Sequence, residues 1–109
     1  MKFVMAAATA ELANGAMKAV DIDGHELVLA RIEDGYYAVA RRCTHMAENL
    51  SHGTLDGRVL ICPRHGARFD ITNGKAVGKA KLLFIATTPK DLATYPVKIE
   101  GAEVLIGLP

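Results

Sequence analysis

Turn-forming dipeptides recur along the chain at short intervals, and this spacing limits the possible folds more than any other feature. An Asn, Asp or Glu residue precedes Gly at six points, and pairs of this kind favour the tight turns that join antiparallel strands. The pairs are Asn14-Gly15, Asp23-Gly24, Asp34-Gly35, Asp56-Gly57, Asn73-Gly74 and Glu100-Gly101. The short β-prone runs between them are MKAVDI (17–22), HELVLARI (25–32), YYAVAR (36–41), RVLIC (58–62), ARFDI (67–71), PVKIE (96–100) and EVLIGL (103–108). Many short strands with regular turn signals predict an all-β sandwich or barrel.

The remaining segments add one strand and two helical turns to this prediction. The apolar start of the chain is predicted as a strand from Lys2 to Ala8, because a single lysine and an alanine-rich run make a weak signal peptide, the alternative. The segments TAELAN (9–14) and TPKDLA (88–93) are predicted to form helical turns. Val97 and Ile99 alternate with charged residues, which predicts a half-buried strand with one wet face.

Composition and charge exclude several classes of protein. The chain has 109 residues, of which 50% are hydrophobic and 23% are charged, so we expect one domain with a packed core. A formal net charge of +1 argues against a nucleic-acid or membrane-surface protein. No apolar run approaches the roughly 18 residues of a membrane span. Residues 41–80 nevertheless carry seven Lys and Arg against three Asp and Glu, and residues 1–40 carry three against six.

The basic part of the chain holds two mixed pairs of metal-ligating residue types. Cys43 and His45 enclose one residue, 16 residues follow, and Cys62 and His65 then enclose two. Zinc would accept two thiolates and two imidazoles, but zinc modules usually pair Cys with Cys and His with His. Ordinary buried cysteines with hydrogen-bonded histidines are a second alternative. Four ligand-type residues in two tight pairs disfavour it.

The local sequence predicts that both pairs lie on loops. Residues 43–58 have no lasting periodicity, and long loops in compact domains are usually functional. Cys62 follows an apolar strand that Pro63 ends, and Gly66 allows a tight turn after the second histidine. We therefore expect two loops, each with one Cys and one His, to converge at the tip of a sheet.

The pattern C-x-H, 16 residues, C-x-x-H resembles the motif of the Rieske iron–sulfur family. The resemblance covers most of the chain, through the segments GYYAVARRCTH, NLSHGTLDGRVLICPRHGARFD, TNGKA and TYPVKIEGAEVLI. It implies a Rieske-like antiparallel β-sandwich, a single domain over residues 1–109, in which two loops at about 41–70 form a small cluster-binding subdomain. It also implies one [2Fe–2S] cluster, with Cys43 and Cys62 on the inner iron and His45 and His65 on the outer iron.

Four positions indicate which kind of Rieske protein the chain resembles. Respiratory and photosynthetic members have a cysteine in each loop that together form a disulfide, and this chain has Glu48 and Arg64 there. Those members also have a Ser and a Tyr whose hydroxyls donate to the cluster, and this chain has Ala67 and Phe69. These departures resemble the soluble ferredoxins of bacterial aromatic-ring oxygenase systems. The chain is too short to hold an oxygenase catalytic domain as well.

This resemblance implies an electron carrier that is not an enzyme by itself. Its expected partners are a flavin-containing reductase and a terminal oxygenase or similar acceptor, and we expect a cytoplasmic monomer that binds neither nucleic acid nor membrane. One alternative is a small subunit or accessory module of a larger redox enzyme such as a nitrite reductase. Another is a zinc-stabilised interaction module.

Other polar residues near the motif have less specific expected roles. His25 is predicted as a surface strand residue, and His52 fits neither ligand position. Four arginines flank the ligands and could form a positive collar that meets an acidic partner. Alternatively they are solvated, or one of them pairs with Glu48 or Asp70. They are Arg41, Arg42, Arg64 and Arg68.

Overall fold

The computed structural model is built almost entirely from antiparallel strands. It describes residues 1–44, 47–64, 66–77, 80–82, 85–87 and 89–109, with 80–82 and 85–87 described by their backbone. Twelve strands and two 3₁₀ turns, but no α-helix, occur in these ranges. The strands are β1 (Lys2–Ala8), β2 (Met17–Ile22), β3 (His25–Ile32), β4 (Gly35–Ala40), β5 (Thr54–Asp56), β6 (Val59–Ile61), β7 (Arg68–Asp70), β8 (Ala80–Leu82), β9 (Ile85–Thr87), β10 (Thr94–Tyr95), β11 (Val97–Glu100) and β12 (Glu103–Leu108). The 3₁₀ turns are Thr9–Glu11 and Leu50–His52.

The strands form three sheets and a hairpin. The first sheet has the order β1-β12-β11, and the second has the order β10-β4-β3-β2. A third, small sheet has the order β5-β6-β7, and β8 pairs with β9. Every pairing is antiparallel. The predicted all-β, antiparallel fold is therefore confirmed.

The second sheet is the middle layer, because both of its faces are buried. One face packs against the first sheet through Leu27 and Leu29 of β3, which share an apolar core with Val104 and Ile106 of β12. The other face packs against the loops and the small sheet at 43–71, and Val28 belongs to this second core. The molecule thus has two apolar cores, one on each side of the middle sheet.

The position of β3 between the two cores explains its uninterrupted apolar run LVLA. Side chains alternate between the two faces of a strand, and all four residues from Leu27 to Ala30 are fully buried. A strand buried on both faces is apolar at consecutive positions and does not alternate with polar residues. Burying a Leu or Val side chain contributes about 1.5–3 kcal/mol, so this strand is a major source of stability.

Most of the predicted elements are confirmed, and three details are wrong. Residues 43–58, predicted as a loop, contain the 3₁₀ turn Leu50–His52 and strand β5. The first strand, Lys2–Ala8, and the turn at Thr9–Glu11 are as expected. Residues 89–93 form no helix, and Thr88 lies outside the described residues. The strand that contains Ile99 is present, but this side chain is 44% exposed near the end of β11.

None of the helical segments in the described ranges is long and apolar enough to cross a membrane.

Leu29→Ala tests the core between the first and second sheets. Leu29 is fully buried, so truncation should lower the free energy of unfolding by about 2–5 kcal/mol. Met5→Ala is the control, because Met5 is 50% exposed and should change stability by less than about 1 kcal/mol. Urea denaturation of both variants gives the comparison. Equal losses would contradict the assignment of Leu29 to this core.

Candidate metal centre

The first Cys-containing loop, residues 43–48 (loop A), is closed by a backbone hydrogen bond of its own cysteine. The Cys43 N–H donates to the carbonyl oxygen of Glu48 at 2.8 Å, and the Ala47 N–H donates to the Cys43 carbonyl at 2.8 Å. Ala47 has a φ of 54°, the left-handed conformation that an L-residue adopts at a cost. It lets the chain reverse immediately before Glu48, so the turn of loop A depends on this residue.

The second loop, residues 62–67 (loop B), is closed in the same way. The Cys62 N–H donates to the Ala67 carbonyl at 2.8 Å, again from a cysteine to the fifth residue after it. Gly66, with a φ of 74°, occupies the position equivalent to Ala47. Each loop therefore begins at a cysteine, reverses at a left-handed residue and returns to the cysteine amide.

Both cysteines lie in the apolar core on the loop side of the middle sheet. Cys43 is 3% exposed and Cys62 is 2% exposed. Leu50, Leu60 and Phe69 are fully buried in the same core. The structure therefore brings the two predicted thiol ligands into one buried cluster of side chains. The predicted histidine ligands, at positions 45 and 65, lie outside the described residues.

Gly53 allows the start of strand β5 to approach the end of strand β6. It follows the 3₁₀ turn Leu50–His52 and donates its N–H to the Leu50 carbonyl at 3.0 Å. A Cβ at this position would overlap the backbone carbonyl oxygen of Ile61, the residue before Cys62. Only glycine fits between the 3₁₀ turn Leu50–His52 and strand β6 without moving one of them. The absence of a side chain is thus a steric requirement here.

The hairpin that carries loop B is stabilised at its other end by Asp70. The Asp70 carboxylate accepts hydrogen bonds from the Thr72 N–H at 2.9 Å and from Arg58 Nε at 2.9 Å. Burial would raise the pKa of Asp70, but the hydrogen bonds from Thr72 and Arg58 outweigh it and hold the pKa below its usual range. This stabilisation is present above the ordinary carboxyl pKa near 4 and is lost as the pH falls through the lowered value.

A third segment, residues 89–92, lies against loop A. Thr44 Oγ1 donates to the Lys90 carbonyl at 2.5 Å, and Leu92 is buried in the core that contains both cysteines. The helical turn predicted here is absent because tertiary contacts take up its backbone groups. The Leu92 N–H, for example, donates to the Gly74 carbonyl at 2.7 Å. Sequence reasoning missed this segment, because its separation from the motif gives no local signal.

Arg41 and Arg42 connect the start of loop A to strands β2 and β3. Arg41 is 6% exposed, and its Nη2 lies 2.5 Å from Asp21 Oδ1 and 3.2 Å from Glu26 Oε2. Arg42 Nη2 also contacts Glu26, at 3.0 Å. Asp21 and Glu26 are directly opposite each other across the two strands, where like charges repel. The two arginines offset that repulsion, and their hydrogen bonds lower the pKa of Glu26.

The structure therefore divides the four flanking arginines into three groups. Arg41 and Arg42 pair with carboxylates of the middle sheet. Arg64 pairs with Glu48, as one alternative predicted, with Nη1 3.4 Å from Oε2. Arg68 is exposed on β7. The positive collar is thus smaller than the sequence indicated, and Asp70 pairs with Arg58 rather than with a flanking arginine.

The donors that the structure describes fit an iron–sulfur cluster. A thiolate buried in apolar surroundings needs a positive partner, and a metal ion bound by both sulfurs would supply one. The backbone hydrogen bond that closes each loop fixes the position of its cysteine. Each loop contributes one thiol and, by sequence, one imidazole, which is the mixed set of a Rieske centre.

Comparison with known proteins identifies the family. A model of the Rieske [2Fe-2S] domain matches residues 2–96. The chain belongs to the Rieske [2Fe–2S] domain family. The ferredoxin component of a naphthalene 1,2-dioxygenase system from Pseudomonas aeruginosa is 39% identical over 107 residues, 98% of this chain and 96% of that protein.

Solved structures agree with this assignment. The ferredoxin of carbazole 1,9a-dioxygenase from Nocardioides aromaticivorans IC177 matches with a TM-score of 0.86 and 27% identity, covering all of both chains. A complex of reduced oxygenase and oxidized ferredoxin in carbazole 1,9a-dioxygenase matches with a TM-score of 0.82 and 30% identity, covering 96% of this chain and 92% of that one.

These matches confirm the Rieske-like sandwich, the [2Fe–2S] cofactor and the ferredoxin type of this protein. The Rieske chain is an electron carrier, and its relatives are ferredoxin components rather than catalytic subunits. The predicted electron carrier that is not an enzyme by itself is confirmed.

Gly53→Ala tests the close approach between the 3₁₀ turn Leu50–His52 and β6. The added methyl group would meet the Ile61 carbonyl, and overpacking against backbone should cost about 3 kcal/mol or more and reduce iron content. Gly57→Ala is the matched control, because Gly57 has a φ of 60° but open space around it. It should lose only about 1 kcal/mol. Thermal unfolding and iron analysis of both variants decide the point. A Gly53→Ala protein as stable as the control would contradict it.

Proposed function

We propose that the protein carries single electrons from a flavin-containing reductase to a terminal oxygenase or a similar acceptor. The observation that carries this proposal is the pair of equivalent closed loops, each with a buried cysteine, in a chain that aligns over nearly its whole length with ferredoxin components of dioxygenase systems. The match to a ferredoxin solved in complex with its oxygenase supports the same kind of acceptor here.

The proposed cluster ligands are Cys43 and Cys62 on one iron and His45 and His65 on the other. The burial of both cysteines in one core supports the thiolate half of this set. The imidazole half rests on the spacing of the motif and on the family. When bound, the cluster accepts and returns one electron without chemistry on a substrate.

The residues around the cysteines exclude water and hold the ligands still. Leu50, Leu60, Phe69 and Leu92 enclose the cysteine side of the site with apolar surface. The hydrogen bonds that close both loops keep the backbone in place. Because little has to move when charge is added or removed, such an environment suits rapid electron transfer. The proposed histidine ligands would then provide the route by which electrons reach the partner.

The surface next to the loops supports an acidic partner. Arg64 and Arg68 are both exposed there, with the Arg64 side chain 66% exposed. Arg41 and Arg42 pair with carboxylates and Arg64 pairs with Glu48, so Arg68 is the flanking arginine that forms no ion pair within the described residues. Attraction between such a surface and acidic groups mainly raises the association rate and weakens at high salt.

The proposal also covers extent and location. The chain would form one Rieske domain over residues 1–109, with the cluster-binding subdomain at about 41–70. The contribution of both sides of the middle sheet to packed cores supports a single unit. We propose that it works in the cytoplasm as a monomer, as the resemblance to ferredoxin components of dioxygenase systems implies.

Replacing the proposed ligands tests the site. Cys43→Ala, His45→Ala, Cys62→Ala and His65→Ala should each lose most of the iron and the visible colour, because each removes one of four bonds to the cluster. His52→Ala and His25→Ala are matched controls, since both histidines lie outside the proposed set. Iron content and visible absorption are the measurements. A His45→Ala protein that retained a full Rieske spectrum would refute the ligand set.

The reduction potential should lie in the lower part of the Rieske range, which runs from about −150 to +300 mV. Reduction adds negative charge, so hydrogen bonds donated to the cluster strengthen and raise the potential. Neither Ala67 nor Phe69 has a hydroxyl to donate. If the new hydroxyl reaches a cluster sulfur, Ala67→Ser or Phe69→Tyr should each raise the potential by about 40–90 mV, from a strengthening of ~1–2 kcal/mol.

Voltammetry on the loaded protein measures this effect. Ala76→Ser is the control, because Ala76 packs against the same core but lies across the β-bridge from Phe69. It should leave the potential nearly unchanged. A parent potential near +300 mV would show that other donors set the value.

Electron transfer itself is measured by mixing the reduced protein with a terminal oxygenase in a stopped-flow instrument. Reoxidation should be fast at low ionic strength and slower as salt rises. A loaded protein that exchanged no electron with reductases or oxygenases of this class would refute the proposed function.

A further inference from the structure

The two ligand loops are held closed separately, and an ion pair connects them. Within the ranges that the structure describes, the Glu48–Arg64 pair is the ion pair that joins loop A to loop B. Glu48 belongs to loop A, where its carbonyl accepts from the Cys43 amide. Arg64 belongs to loop B, two residues after Cys62. The pair therefore spans the site from one loop to the other.

We propose that the Glu48–Arg64 ion pair is an electrostatic latch that fixes the distance between the two loops and slows loss of the cluster. This inference rests on the proposed ligand set, in which each loop supplies two of the four ligands. Movement of one loop relative to the other would then separate ligands of the same cluster. Backbone closure cannot prevent that movement, since each closing bond lies within one loop.

The placement of Glu48 should make this ion pair more stabilising than an average pair on a protein surface. Exposed ion pairs often contribute little, because two flexible side chains must be ordered and water screens the charges. The Glu48 side chain is only 28% exposed, and the hydrogen bond from Cys43 fixes its backbone. One partner is thus largely ordered before the contact forms. The Arg64 side chain, at 66% exposure, carries most of the ordering cost.

The charges around the pair favour the same pairing. Arg41 and Arg42 are committed to Asp21 and Glu26, so Glu48 does not compete for them. Asp70, the nearest acidic residue along the chain after loop B, is paired with Arg58. Each of these contacts lies outside the two loops. Glu48 and Arg64 are therefore left to each other across the gap between loop A and loop B.

A charge-reversal cycle on the loaded protein tests the latch. The variants are Arg64→Glu, Glu48→Arg and the double variant, and the rate of loss of visible absorbance during incubation with an iron chelator is the measurement. At low ionic strength each single reversal should speed the loss about three- to tenfold, because it places like charges on facing loops. The double variant should return to within about twofold of the parent.

Salt and a matched control separate the latch from a general charge effect. In ~1 M salt the screening length falls to about 3 Å, so the differences should shrink to less than about twofold. Lys75→Glu makes the same change in net charge as Arg64→Glu, at an exposed position outside both loops, and should stay within about twofold of the parent. Single reversals no faster than Lys75→Glu would overturn the proposal. The proposal would also be overturned if the cluster were lost from the double variant at a rate increased by the product of the two single-variant factors.

A second measurement does not need the cluster. In the metal-free protein, hydrogen exchange at the amides of Cys43, Ala47 and Cys62 should speed up about two- to fivefold in Arg64→Gln and Glu48→Gln, because a loop no longer held to its neighbour also opens more often. If the ligand variants keep their iron, the proposed ligand set fails, while this exchange experiment still judges the contact between the loops. Unchanged exchange in both neutral variants would overturn the latch.

Discussion

The burial of strand β3 on both faces is the constraint on which the rest of the structure depends. Its run from Leu27 to Ala30 is fully buried, so every second side chain belongs to the sandwich core and the others belong to the core of the site. The same strand supplies Glu26, whose carbonyl accepts from the Arg41 amide and whose carboxylate binds Arg41 and Arg42. The sandwich and the start of loop A are thus built on one strand.

The two loops then show how little sequence identity an equivalent local structure requires. Each cysteine amide is bound by a carbonyl five residues later, and a left-handed residue precedes that carbonyl. Loop B uses Gly66 for this conformation and loop A uses Ala47. The histidine spacing also differs, with one residue after Cys43 and two after Cys62. The common element is the backbone, which fixes the thiols in the buried core, whereas Ala47 and Arg64 are exposed.

The charged residues near the loops are also divided between a buried side and an exposed side. On the side of the middle sheet, Arg41 is buried and its charge is offset by Asp21 and Glu26. On the outer side, Arg64 and Arg68 remain exposed. An electron carrier needs a rigid, neutral attachment for its cofactor and an open, charged surface for its partners. The carboxylates of β2 and β3 allow both within one arginine-rich stretch.

Local patterns in the sequence were enough for much of this fold. The strands were predictable because turn dipeptides and β-prone runs act over a few neighbouring residues, and β1, β2 and β3 begin and end where expected. The motif was predictable because two mixed Cys–His pairs have few chemical uses. Segment 89–93 was predicted wrongly. Its backbone hydrogen bonds go to residues distant in sequence, such as Gly74, and these outweigh a weak helical preference.

The sequence by itself determined the family, the cofactor class and the all-β composition, since spacing, turn residues and ligand types are local properties. Tertiary structure decided which arginines form ion pairs within the protein. Nothing local assigns Arg41 to Asp21, twenty residues earlier, or Arg64 to Glu48 in the other loop. Tertiary structure also requires glycine at position 53, because the Ile61 carbonyl that excludes a side chain there belongs to a different strand. Contacts between distant segments depend on how the sheets pack, and no short pattern encodes that packing.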